Sequence, residues 1–84
     1  MKMSQESYKY ILETFRKNRQ SIVEYVPKLK ESGNYKDFNT RLAADCMYAF
    51  LPTSWICSLY EEEQLNDTHI KTGLKKALRE LKII

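Results

Sequence analysis

Eighty-four residues, 43% of them apolar and 12% aromatic, describe one folded domain and exclude a disordered chain. A chain this short buries only about 60% of its unfolded surface, so its core is small and its stability modest, a shortfall that a homo-oligomer would relieve. The net charge is +3, no apolar run is long enough to cross a bilayer, and MKMSQESYKY has no signal-peptide character, so a cytoplasmic protein with no membrane partner is expected.

Ser4 is suited to cap a first helix. After it, Tyr8, Ile11, Leu12, Phe15, Ile22, Val23 and Val26 recur at three- and four-residue steps. The stripe keeps its phase across the polar patch Asn18 to Gln20, which predicts one long helix from Ser4 to about Tyr25. Ser21 and Glu24 have capping-box spacing, and a break and restart there is the alternative. Pro27 disturbs the helix after Val26 and is suited to open a short turn, Pro27 to Glu31. Ser32, Gly33 and Asn34 read as a loop, with Gly33 as a left-handed helix cap. The next helix starts at about Tyr35 or Asp37.

Arg41 to Tyr60 is the most apolar stretch and holds the only Trp and both cysteines. Phe38, Leu42, Cys46 and Ala49 form one helical row, and Ala43, Met47 and Phe50 a second. A helix apolar on most sides is enclosed by others. Pro52 ends it, and Thr53 or Ser54 caps a following helix that carries Trp55, Ile56, Leu59 and Tyr60. That helix finishes in a solvated run, Glu61 to Glu63. Asn66 or Asp67 caps the final helix, whose buried stripe is Ile70, Leu74, Ala77, Leu78 and Leu81. Its outer face carries Lys71, Lys75, Arg79 and Lys82, with Lys76 beside them. Gly73 costs that helix about 1 kcal/mol against Ala unless a neighbour packs close. Ile83 and Ile84 then either fray or pack. The fold class is therefore all-α, a compact bundle of four to five helices in a single domain around residues 38–60. No strand alternation, low-complexity segment or internal repeat appears.

Charge is segregated: +4 over residues 1–36, −5 over residues 37–68 and +4 over residues 69–84. Arg41 and Asp45 are spaced to pair along one helix, and a buried Asp45 would need such a partner. They are either a structural pair or a partner- or ligand-facing site. Asp67, His69 and Lys71 sit at a helix N-terminus, where free N–H groups favour a small anionic ligand. The simpler reading there is an Asp cap followed by a surface His. One His and two Cys at no ligand spacing predict no metal site and no cofactor, and nothing local activates Cys46 or Cys57. Both are expected to be reduced core thiols. No enzyme activity is expected.

Two classes of macromolecular partner remain. Nucleic acid would use Lys71, Lys75, Arg79 and Lys82, with Lys9, Arg16, Lys17 and Arg19 as a second basic patch, but the acidic run before the final helix would repel phosphates. A protein partner fits the six tyrosines, because Tyr is favoured at interfaces. Self-association could use the same residues.

The segments Arg41-Leu42-Ala43-Ala44-Asp45-Cys46 and Asn66-Asp67-Thr68-His69-Ile70 resemble short proteins encoded by bacterial phages and conjugative elements. The resemblance covers roughly the second half of the chain and transfers no catalytic residue. It implies a small accessory protein that counters or steers a host system by binding a host protein. The expected function is therefore non-enzymatic binding of a macromolecular partner, with a protein favoured over nucleic acid, and a small anionic ligand third.

Overall fold

The computed structural model describes residues 3–33, 35 and 37–84. These residues form five α-helices and no strand: α1 (Gln5–Lys17), α2 (Arg19–Ser32), α3 (Phe38–Phe50), α4 (Thr53–Glu62) and α5 (Asp67–Glu80). The central helix α3 packs most extensively on α5, and α5 packs next on α1. Met3 lies on Gly73, Tyr8 reaches Glu80, and Arg19 donates to the Leu81 carbonyl. The first and last helices therefore run in the same direction, side by side. Among the described residues no helix is long and apolar enough to cross a membrane.

One core joins all five helices. Ile11 and Phe15 enter it from α1, Ile22 and Val26 from α2, Leu42, Cys46 and Met47 from α3, Ile56 and Leu59 from α4, and Ile70, Leu74 and Leu78 from α5. Complete burial of each large apolar side chain contributes roughly 1.5–3 kcal/mol. Among the described residues every buried side chain is apolar. Ile83 and Ile84 pack against this core rather than fray.

The expected long first helix is divided at Asn18, whose backbone leaves helical geometry at φ −103° and ψ 16°. Its side-chain amide donates to the Thr14 carbonyl at 2.8 Å, competing with the backbone as Asn does at helix ends. The Ile22 N–H still reaches the Asn18 carbonyl at 2.9 Å, so the helix resumes at once. Ser21 neither caps nor breaks it. Pro27 does not end the helix either; it lies inside α2. Val23 and Pro27 are both exposed residues, on the side of the helix where water can replace the N–H that proline lacks.

Gly33 is extended, at φ −124° and ψ 144°, and is not the left-handed cap its sequence context predicts. The Asn34 part of that expected loop, and Lys36 beyond it, lie outside the described residues. Left-handed caps occur instead at Gln64, φ 49°, and Lys82, φ 58°. After α5 the Lys82 N–H bonds to the Arg79 carbonyl and the Ile83 N–H to the Leu78 carbonyl, which is a Schellman ending with a lysine where glycine is usual. α3 begins one residue after Asp37, close to where it is expected, but without a side-chain cap. α4 begins at Thr53 with Pro52 in the cap position, so neither Thr53 nor Ser54 caps it. Two extended residues, Leu51 at φ −114° and ψ 146° and Pro52 at φ −62° and ψ 136°, make the turn.

Candidate functional site

The side of α3 away from the core carries Arg41, Asp45 and Tyr48, a row at four- and three-residue steps. Arg41 is exposed and Asp45 half-buried. Tyr48 is 62% exposed, more than any other large apolar side chain described. Asp45 accepts a hydrogen bond from the Tyr35 hydroxyl at 2.8 Å, so its partner is Tyr35 and not Arg41. That bond to a carboxylate raises the Tyr35 pKa, with a lesser contribution from burial. The Tyr35 ring stands edge-on to Phe38, 5.5 Å between centroids, and Lys30 lies over the other ring of this pair, Phe38, at 5.3 Å.

The row continues at its other end. Tyr60 of α4 is half-buried and close to Tyr48. Burial pushes its phenol up, and the Asp67 carboxylate at the start of α5 adds to the shift. Asp67 is thus a neighbour of Tyr60. Asn66, not Asp67, caps α5, accepting from the His69 N–H at 3.0 Å.

His69 is not part of that row. It lines a groove of about 490 Å³ between the start of α1 and α5, together with Met3, Tyr8, Thr72, Gly73 and Lys76. The structure therefore separates Asp67 from His69, although only Thr68 stands between them in sequence. Lys71 and Lys75 are half-buried. The open ridge of α5 is Thr68, Thr72, Lys76, Arg79 and Glu80, and Lys82 lies beyond the helix. The expected basic face is shifted: two of its four members are partly covered, and Glu80 breaks the ridge.

Glu63 was hidden inside a run that reads as solvated. Its carboxylate accepts from the Ser4 N–H at 2.9 Å, from the Ser4 hydroxyl and from the Ser7 hydroxyl. Burial pushes this carboxyl up, but the three hydrogen bonds outweigh it, and the pKa is lowered from 4.5. Only Glu61 and Glu62 of the run are exposed. A signal was present in the sequence, since Ser4 and Ser7 are both donors at the start of a helix, where an anion is stabilised.

The two cysteines are both free, but only Cys46 is a core thiol; Cys57 is exposed. Burial and then the Asp45 charge push Cys46 up to about 12, which leaves it protonated and inert at neutral pH. Among the described residues no group of three or more His, Cys, Asp or Glu could hold a metal ion. Two aromatic contacts complete the surface: Tyr10 packs on Trp55 with 4.6 Å between centroids, and Tyr25 stands edge-on to Phe50. Comparison of the chain with protein-family models, with curated proteins and with solved structures finds no match.

Proposed function

We propose that this chain is a non-enzymatic helical accessory protein that binds a protein partner through Arg41, Asp45 and Tyr48. Tyr48 carries the reading: a large aromatic ring 62% exposed on the helix whose opposite side fills the core. Its ring contributes little to the fold at that exposure, whereas Tyr and Arg are the residues richest in binding energy at interfaces. The neighbouring Asp45 is already ordered by Tyr35, which lowers the entropy cost of docking. The surrounding segment, residues 37–68, carries −5, so the complementary surface is basic or neutral. The resemblance of the Arg41–Cys46 and Asn66–Ile70 segments to proteins of phages and conjugative elements supports a host protein, met in the cytoplasm.

Affinity capture on the tagged chain from host-cell extract, with and without nuclease, tests this. A dominant nuclease-resistant partner that is lost with Tyr48→Ala supports it. Loss of every partner with nuclease, together with weakening by Lys75→Ala or Arg79→Ala and a steep salt dependence, overturns it in favour of nucleic acid on α5. A dimer in light scattering that Tyr48→Ala dissociates would make the partner a second copy.

A further inference from the structure

The groove between the start of α1 and α5 is independent of the α3 row and is assembled from both ends of the chain. Glycine inside a helix is unfavourable, yet Gly73 lies at the centre of α5. Its missing side chain lets Met3 settle there: a Cβ at position 73 would come within 2.8 Å of the Met3 methyl. The residue after Met3 is Ser4, and Glu63 fixes it through both its N–H and its hydroxyl. The apolar floor of the groove is therefore anchored through its neighbour Ser4 by the residue that follows α4.

The charge in the groove is arranged unusually. Lys76 and Glu80 are spaced to pair along α5. Instead Glu80 accepts from the Tyr8 hydroxyl, and the Lys76 ammonium lies over the Tyr8 ring, 5.0 Å from its centroid. An ammonium over a ring is oriented without being neutralised. His69 stands two turns earlier, roughly 10 Å along the helix. Thr72 donates its hydroxyl to the Thr68 carbonyl, which leaves its oxygen as an acceptor facing the same space. A volume of about 490 Å³ falls within the ordinary range for small-ligand sites.

We propose that this groove binds a small aromatic carboxylate, its anionic group on Lys76 and its flat apolar body on Met3 and Gly73, directed toward His69. Two properties set the class. Among the described residues that line the groove Lys76 is the lysine, and its ammonium calls for an anionic group, while a thioether beside bare helix backbone calls for a flat body rather than a hydrated one.

Amide and methyl NMR on the full chain tests this with 2-naphthoate, its neutral analogue 2-naphthamide and inorganic phosphate as probes. Gly73 is one of two glycines, so its amide is readily followed. Saturable shifts of Gly73, Tyr8 and the Met3 methyl with 2-naphthoate are expected, and about tenfold weaker binding of 2-naphthamide. Lys76→Gln, on an exposed helix position, should weaken naphthoate about tenfold while the remaining amides keep their positions. Equal binding of naphthoate and naphthamide overturns the proposal, as does unaltered binding by the K76Q chain. Shifts confined to the Tyr48 side, or phosphate matching naphthoate in affinity, would also overturn it.

Discussion

Glu63 closes the start of the first helix from fifty-nine residues away, taking both the N–H and the hydroxyl of Ser4. A carboxylate at a helix N-terminus meets free donors and the positive end of the dipole. Glu63→Ala should cost about 1 kcal/mol in urea unfolding at neutral pH. The folded-state pKa is lowered from 4.5, so this contribution is full above that value and is lost as pH falls through the lower folded one. The Glu63→Gln chain should accordingly show a shallower loss of stability below about pH 4.5 than the parent. Parallel acid limbs for the two chains would dissociate Glu63 from the latch.

Lys82 and Gln64 occupy left-handed backbone with full side chains. That conformation costs an L-residue roughly 1–2 kcal/mol, and glycine escapes most of it while giving some back in unfolded-state entropy. Lys82→Gly and Gln64→Gly are each expected to stabilise by about 0.5–1 kcal/mol. Thermal unfolding of the two variants, each measured against the parent, checks this.

Gly73→Ala sets helix propensity against the Met3 contact. The added methyl meets the far end of a flexible side chain, which can move. Stability should rise by up to about 1 kcal/mol, while the groove narrows and naphthoate binding falls. A destabilised G73A chain would mean that Met3 cannot yield.

The two thiols should react on different clocks. Cys57 is exposed and Cys46 is buried with its pKa pushed up to about 12. A disulfide reagent at mildly alkaline pH should label Cys57 in the native protein and Cys46 only as the chain unfolds. Immediate labelling of both would show that the α3 core opens readily.

Tyr48→Ala removes an exposed ring, so its effect on stability should stay within about 0.5 kcal/mol. Met47→Ala, its buried neighbour, should cost about 2–5 kcal/mol, a large share of what so small a domain has. Comparing both variants in unfolding and in partner capture separates loss of a contact surface from loss of the fold.

Periodicity found most of the core. Leu42 and Cys46 of one α3 row, Ala43 and Met47 of the other, and Ile70, Leu74 and Leu78 of α5 are buried as their spacing requires, whereas Ala49 and Val23, on the same stripes, are exposed. Ser4 and Asn66 cap as their chemistry suggests. The break at Asn18 escaped because a one-residue interruption leaves the apolar stripe in phase. Pro27 misled because its cost depends on whether the orphaned carbonyl is wet, which only the packed helix decides. The pairings of Glu63 and Tyr35 escaped for a shared reason: each takes its partner from another element, so the serine donors at Ser4 and Ser7 show that an anion is wanted there without showing which carboxylate supplies it. The same limit applies to the groove, whose walls lie at opposite ends of the sequence.

The side-by-side placement of α1 and α5 also sets an order of events. Tyr8 meets Glu80 across seventy-two residues, and Arg19 meets Leu81 across sixty-two. A ribosome releases the first helix long before the segment that covers it exists. Until α5 emerges, Ile11 and Phe15 have only α2 and the unfinished core to shelter them, and closing so long a loop slows docking. A chain cut short before α5 therefore lacks the cover that Leu74 and Leu78 give to the core side of α1.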